Sequence, residues 1–125
     1  MNNALKQFEN QQYLNIETFR RNGEGVKTPV WFAKEGNTLL IWTQVTSGKI
    51  KRIRRDGKVR VSPSTAAGET LGEWTDAQAA VFDSNEDIKR TEIIFRKKYG
   101  WMFSMFGWLG KIRGAKYATI QVQIS

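Results

Sequence analysis

Cysteine and histidine are both absent from this chain of 125 residues. Without cysteine there can be no disulfide bond, no thiolate nucleophile and no cysteine-ligated metal. Without histidine as well, the usual zinc sites and the serine–histidine and cysteine–histidine nucleophile systems are excluded. Carboxylates, lysines, tyrosines and backbone groups remain for acid–base chemistry. We therefore expect any catalysis to depend on a bound cofactor and predict no metal site.

Long apolar runs are missing too. The most apolar stretch, 99–110, is shorter than the roughly 20 residues that a membrane-spanning helix needs. The first residues, Met1 to Gln7, lack the apolar core of a signal peptide. We expect a cytoplasmic protein. Its length fits one domain over 1–125, because domains commonly hold about 100–150 residues.

Positive charge is in excess and is concentrated in one segment. The chain has 20 Lys and Arg against 12 Asp and Glu, a formal net charge of +8, which favours anionic partners. Seven of the 20 basic residues lie between Lys49 and Arg60, directly after Thr46-Ser47-Gly48. An apolar run at 39–42 precedes them, so we predict a strand, a turn and then a short cationic helix over 47–56. Backbone N–H groups at a helix start, with Lys and Arg one turn further in, suit a phosphate.

Two other interpretations of this basic segment stay open. It could be a solvated helix face, although its position at a strand-to-helix junction and the repulsion between its like charges favour a bound anion. It could also bind a nucleic acid backbone, with Trp or Phe side chains as stacking platforms for the bases. Binding of that kind would weaken steeply with salt.

Apolar periodicity predicts a mainly β (α+β) fold, a small barrel with helices at its edges. Pro29 cannot donate a ladder hydrogen bond, so its strand should be an edge or be interrupted there. Such a strand could present backbone polar groups to a planar heterocycle, with Trp31 or Phe32 as a wall. The predicted strands are 13–19, 26–34, 38–45, 59–63, 73–82 and 115–125, and the helices are 3–11, 47–56 and a segment from Ser84 through Met102. In the last strand Ala118, Ile120, Val122 and Ile124 should point inward, and Thr119, Gln121 and Gln123 outward.

Aromatic residues are plentiful for a chain of this length. Five of them are tryptophan, more than one small core is expected to bury. An obligate dimer would bury the surplus. The residues concerned are Trp74 and the group Trp101, Phe103, Phe106 and Trp108.

Several short motifs follow one another in a distinctive order over most of the chain. They are YLNIETF at 13–19, TPVWF at 28–32, WT at 42–43 before SGKIKRIR at 47–54, VRVSP at 59–63, GEW at 72–74 and KYGW at 98–101. This ordered set resembles the pyridoxamine 5'-phosphate oxidase-like split-barrel flavoproteins. The likeness is strongest to their small branch of deazaflavin (coenzyme F-420)-dependent oxidoreductases.

The resemblance implies a six-stranded split β-barrel that forms a homodimer, with FMN or coenzyme F-420 bound along the subunit interface. It further implies hydride transfer between the cofactor ring and a small organic substrate, and it argues against a nucleic acid partner. No catalytic residue is assigned. A nucleic-acid-binding small β-barrel and a non-catalytic flavin-binding protein stay as alternatives. The residues implied at the ring are Thr28, Pro29, Val30 and Trp31; those at the phosphate are Ser47, Gly48, Lys49, Lys51 and Arg52; Thr43 would meet the ribityl chain or phosphate, and Ser62 and Pro63 are further candidates.

Overall fold

Six strands form a closed barrel in the structure, which is a computed structural model describing residues 3–103 and 116–124. The strands are β1 (Tyr13–Phe19), β2 (Gly25–Glu35), β3 (Thr38–Gln44), β4 (Lys58–Ser64), β5 (Thr75–Phe82) and β6 (Tyr117–Ile124). The helices are α1 (Asn3–Lys6), α2 (Gly48–Arg55) and α3 (Asn85–Tyr99). Neighbouring strands pair antiparallel in the order β1-β2-β3-β6-β5-β4 around the barrel. The predicted mainly β barrel is confirmed.

Alternate residues of the strands fill the barrel interior, as a period of two requires. Ile120 and Val122 of β6 are fully buried among the core residues, which confirms the predicted inward set. Thr119 faces outward, as predicted, but the expectation that outward residues of β6 are exposed is wrong here. It points away from the barrel axis but is buried, because α3 covers that side, and its hydroxyl donates to Thr91 Oγ1 at 2.8 Å.

Helix α3 begins where its capping signal predicted. The Ser84 hydroxyl accepts a hydrogen bond from the backbone N–H of Asp87 at 3.1 Å. The helix ends at Gly100, whose φ of 64° is a conformation that glycine adopts without strain. Phe95 and Tyr99 pack with Leu40 and neighbouring residues on the outer side of the sheet. This second cluster is separate from the barrel interior.

Helix α2 closes one end of the barrel through two isoleucines. Ile50 and Ile53, three residues apart, are buried and belong to the interior cluster. The predicted helix over 47–56 is confirmed with slightly shorter bounds. Its last residue, Arg55, is followed by the C-cap residue Asp56, whose backbone N–H donates to the carbonyl of Arg52.

Some sequence predictions need correction. Strand β4 does not end at Pro63 but continues to Ser64, because Ser64 still pairs with Tyr13 of β1. The expected helix at 3–11 is only the four residues of α1, although Leu5 and Phe8 are both buried in the core as their spacing suggested.

The residues of the predicted aromatic group differ in burial. Phe103 is buried, whereas Trp101 is 71% exposed. Phe106 and Trp108 lie outside the described residues.

Within the part of the chain that the structure describes, no helix combines the length and the apolar character needed to cross a bilayer.

The barrel is split between two of its strands. β2 pairs with β3 only over Phe32–Glu35, opposite Thr38–Ile41. The first part of β2, 25–31, pairs with β1 alone, and the end of β3, 42–44, pairs with β6 alone. The two strands therefore diverge, and the end of β3 leads directly into α2 beside the opening.

Candidate functional site

The start of α2 forms a polar corner at the end of β3. The Thr43 hydroxyl lies 3.4 Å from the Ser47 hydroxyl. Ser47 is the N-cap residue, yet its side chain caps none of the described N–H groups. The first N–H groups of a helix have no partner within it, so these donors can take an outside acceptor. We call Thr43, Ser47, Gly48, Lys49 and Arg52 the α2 corner.

Arg52 folds back across the α2 corner toward β1. Its Nε donates to the hydroxyl of Thr18, 2.6 Å away. A Cβ on Gly48 would lie 2.7 Å from Nη1 of Arg52, so the absence of a side chain at this position leaves room for the guanidinium. Thr18 is opposite Val26, in the part of β2 that has no β3 partner. The guanidinium therefore reaches β1 at the position beside the part of β2 that lacks a β3 partner.

Lys49 is a half-buried cation next to this guanidinium. Burial, and then the charge of Arg52, lower the pKa of Lys49. Burial, followed by Arg20 and Arg55, lowers the pKa of Arg52. No described carboxylate forms an ion pair with either side chain. The two cations therefore repel each other, and a bound anion would relieve that repulsion.

Lys51, the other lysine assigned to the phosphate, is exposed on α2 and contacts none of the described polar groups. The structure brings Thr43, Ser47, Gly48, Lys49 and Arg52 together and leaves Lys51 facing solvent.

Pro29 lies at an edge, as predicted. The N–H and C=O of Phe32 both meet the Tyr99 hydroxyl, on the β1 side of β2. Because backbone groups alternate along a strand, those of Pro29 face the opposite, split side, where its missing N–H breaks no ladder bond. Thr28 and Val30 flank it and are partly exposed. This part of β2 is the strand that the resemblance assigns to a ring.

The aromatic wall expected beside this strand differs from the prediction. Phe32 is fully buried and packs edge-on against Phe8, with ring centroids 5.9 Å apart, so it is a core residue. Trp31 is stacked on Tyr99, with centroids 4.4 Å apart and planes 7° apart. One face of the indole is therefore already covered by α3.

Ser62 and Pro63 are buried on β4, which lies on the far side of β1 from β2. Ser62 is opposite Asn15, whose side-chain amide donates to the carbonyl of Gly68 at 2.9 Å. The Ser62 hydroxyl has no hydrogen-bond partner among the described residues. The structure thus places these two candidates on β4, opposite Asn15 and Leu14 of β1, whereas the α2 corner meets β1 at Thr18.

Sequence reasoning missed two residues near the candidate site. Thr18 carried no signal, because its role comes from Arg52, 34 residues further along the chain. Tyr99 was noticed only within the KYGW motif. Its hydroxyl lies 2.6 Å from the carbonyl oxygens of both Gln12 and Phe32 and 3.0 Å from the N–H of Phe32. Burial raises the pKa of Tyr99, which keeps this hydroxyl protonated.

The remaining arginines of the basic segment have partners inside the protein. Arg54 lies 3.3 Å from the Asp83 carboxylate, and Arg55 donates to the carbonyl of Phe19 at 2.5 Å. Arg60 lies 3.1 Å from Glu17, whose carboxylate is largely buried.

Solved structures from several sources share this architecture. HutZ, the haem storage protein of Vibrio cholerae, superposes with a TM-score of 0.72 at 9% identity, covering 96% of this chain and 86% of HutZ. A Listeria innocua protein provisionally named pyridoxamine 5'-phosphate oxidase gives 0.67 at 14% identity, with 97% and 90% covered. This chain has the split-barrel fold of such proteins. An F420 reductase with the same split barrel gives 0.60 at 13% identity, with 100% of this chain and 95% of the reductase covered. At these identities the likeness concerns the split barrel alone. No family model and no curated protein sequence matches the chain.

Proposed function

We propose that this split barrel is an oxidoreductase that binds FMN or coenzyme F-420 with its phosphate at the α2 corner. The observation that carries the proposal is the half-buried ammonium of Lys49, placed beside Arg52 at a helix start with no carboxylate partner among the described residues. A charge-assisted hydrogen bond contributes about 1.5–3 kcal/mol. Two cations and the first N–H groups of α2 would therefore hold a phosphate well.

The residues of the α2 corner fit a phosphate in shape as well as in charge. Gly48 leaves the space between the helix start and the Arg52 guanidinium open, since a Cβ there would crowd Nη1. Thr43 and Ser47 add two hydroxyls at the same place. In this proposal Lys51 contributes charge from the solvent side, and the buried Ser62 and Pro63 would reach a ligand only after local rearrangement.

The ring would lie along the split side of β2, against Thr28, Pro29, Val30 and Trp31. Backbone groups on that side have no β3 partner to satisfy them. Trp31 would hold this part of the strand in place for the ring, because its indole is stacked on Tyr99.

The bound cofactor would supply hydride transfer at its ring, chemistry that no amino-acid side chain performs by itself. The task of the protein is then to hold the phosphate, orient the ring and keep water from one ring face. We propose that a homodimer completes the cleft and that the substrate is a small organic molecule. Leu71 and Trp101, which are 56% and 71% exposed, are apolar surface that a second subunit would cover.

A titration of the purified protein with FMN and with coenzyme F-420 tests the proposal. Wild type should bind one of them, and Lys49→Ala and Arg52→Ala should each weaken binding about tenfold or more, as expected for losing a charged hydrogen bond. Arg54→Ala is the matched control, because Arg54 is on the same helix but paired with Asp83. Equal affinity in all four proteins would overturn the phosphate assignment.

The alternatives give different results in the same preparations. A nucleic-acid-binding barrel would bind oligonucleotides with strongly salt-dependent affinity and would ignore both cofactors. A non-catalytic flavin-binding protein would take up the cofactor with normal affinity and show no turnover with any reductant and substrate pair. Light scattering of the loaded protein tests the homodimer.

A further inference from the structure

A second cleft lies far from the α2 corner. It has a volume of about 410 Å³ and is lined by Asn10, Gln11, Gln12, Lys98, Tyr99 and Met102. Arg52 meets β1 at Thr18, whereas this cleft adjoins Gln12, just before the other end of the strand. Six extended residues separate the two positions, which is about 20 Å. The cleft is therefore separate from the α2 corner, although its floor residue Tyr99 is stacked on Trp31, at the end of the strand segment proposed for the ring.

Tyr99 fixes the floor of the cleft. Its hydroxyl lies between the backbones of Gln12 and Phe32, where the next rung of the β1–β2 ladder would be. Its ring is held by the parallel stack on Trp31. A volume of this size lies within the range of small-molecule sites, and a rigid floor reduces the entropy that a ligand must overcome.

Lys98 brings a single positive charge to the cleft. Its ammonium donates to the carbonyl of Phe32 at 2.7 Å and lies 3.7 Å from the centroid of the Phe32 ring. Two further N–H bonds of the ammonium can serve a ligand. No carboxylate within 3–103 or 116–124 forms an ion pair with it, and Glu9, the acid nearest in sequence to the lining segment, is paired with Lys34 at 3.7 Å. Burial lowers the pKa of Lys98 to about 8, in accord with a charge that lacks a counter-ion.

The remaining lining is of two kinds. Asn10, Gln11 and Gln12 carry side-chain amides, none of which hydrogen-bonds to another described side chain, and amides can donate to a carboxylate. Met102 offers a thioether, and Tyr99, which is 6% exposed and has one ring face stacked on Trp31, offers the small remaining part of its ring; both suit the edge of a flat apolar group.

Helix polarity decides which anion suits this cleft. Lys98 and Tyr99 are in the last turn of α3, where the helix presents its carbonyl end. That end disfavours concentrated negative charge, so a phosphate dianion facing a single ammonium would be poorly held. A monoanion places only one negative charge near the carbonyl end of α3, where the single ammonium of Lys98 can balance it. An apolar body on the same molecule suits the apolar part of the lining.

We propose that this cleft binds a small organic carboxylate with a flat apolar body. The carboxylate would be held by Lys98 and the side-chain amides, and the body would lie against Tyr99 and Met102. This site requires no bound cofactor and is independent of the function proposed above.

The test measures binding of trans-cinnamate to the full chain by calorimetry, with cinnamide, its neutral amide, and inorganic phosphate as comparison ligands. Cinnamate should bind at least about tenfold more tightly than cinnamide, because only cinnamate can accept a hydrogen bond from the Lys98 ammonium with a charged carboxylate. Lys98→Met should remove that preference, and Lys98→Arg should retain most of it. Lys97→Met is the matched control, because Lys97 is the neighbouring lysine on the same helix but is not part of the cleft lining, and it should leave binding unchanged.

Three results would overturn the proposal. The first is equal binding of cinnamate and cinnamide by wild type, and the second is equal cinnamate affinity in wild type and both Lys98 variants. The third is tighter binding of phosphate than of cinnamate that depends on Lys98, which would indicate a phosphate site. Arg52→Ala should bind cinnamate as wild type does, so failure of the cofactor proposal and failure of this one are separable.

Discussion

Arg52 of α2 and Thr18 of β1 are joined by a hydrogen bond of 2.6 Å between Nε and the hydroxyl. This bond connects the helix that closes the barrel to β1, the strand that pairs with the unpartnered part of β2. It also orients a guanidinium that has no carboxylate partner among the described residues. The geometry of the α2 corner therefore depends on a residue that sequence reasoning did not select.

Thr18→Val removes the acceptor of this bond and nearly preserves the shape of the side chain. We expect a loss of about 1 kcal/mol in the free energy of unfolding, the usual net value of one hydrogen bond. We also expect several-fold weaker cofactor binding, because Arg52 loses its orientation. Urea unfolding and cofactor titration measure the two effects. Thr18→Ser keeps the hydroxyl, and a loss as large as that of Thr18→Val would show that the bond is unimportant.

Gly48→Ala places a methyl group 2.7 Å from Nη1 of Arg52. The guanidinium is the flexible end of its side chain and can move away, and alanine favours a helix over glycine by up to about 1 kcal/mol. We therefore expect unchanged or higher thermal stability together with weaker cofactor binding. A variant with unchanged stability that also binds the cofactor as wild type does would contradict the role given to the Arg52 position.

Tyr99→Phe deletes the hydroxyl that stands between β1 and β2. The N–H of Phe32 then loses its acceptor in a buried place, which costs about 1–3 kcal/mol of stability. Urea unfolding measures the change. Tyr13→Phe is the control, because Tyr13 is also in contact with Trp31 but its hydroxyl makes no hydrogen bond to a described residue. The two variants should differ clearly, and equal stability would refute the structural role of the Tyr99 hydroxyl.

Lys98 should make stability rise with pH in the alkaline range. Burial lowers the pKa of Lys98 from 10.5 to about 8, so the folded state releases this proton more readily than the unfolded state. Below pH 8 both states are protonated and the full penalty of the buried charge is present. Between about pH 8 and 10.5 the unfolded state binds more protons, so the free energy of unfolding increases with pH.

The check is the difference in unfolding free energy between wild type and Lys98→Met across this range. The difference should shift in favour of wild type as the pH rises. Lys97→Met is the control for removing a lysine from the same helix turn, because Lys97 lacks the contacts that Lys98 makes with the carbonyl and ring of Phe32. A flat difference for Lys98→Met would mean that the ring of Phe32, which favours the charged amine, offsets the effect of burial.

Much of the fold could be predicted from local patterns. The bounds of β1, the start of α3 at Ser84 and the inward residues of β6 follow from periodicity and capping, which act between near neighbours. The error at Thr119 has a different origin. A period of two tells which residues face away from a barrel, but it does not tell whether a helix covers that side.

The candidate site was predicted less completely, because its residues are matched across long distances in the chain. The Ser47-Gly48-Lys49 turn and the basic residues after it predict the start of a cationic helix. Nothing near it in sequence indicates that Thr18 accepts from Arg52 or that Lys51 stays in solvent. Similarly, Trp31 and Phe32 look alike as wall residues, yet one is stacked on Tyr99 and the other is in the core.

By itself the sequence determined the barrel strands, the cationic helix and the absence of thiol and imidazole chemistry, because these depend on composition and on contacts between near neighbours. Only the tertiary structure decided which cations can serve a ligand. Arg54, Arg55 and Arg60 meet partners 29, 36 and 43 residues away, whereas Lys49 meets no described partner. Ion pairing at such separations is set by the order in which strands pair around the barrel, and no local pattern encodes that order.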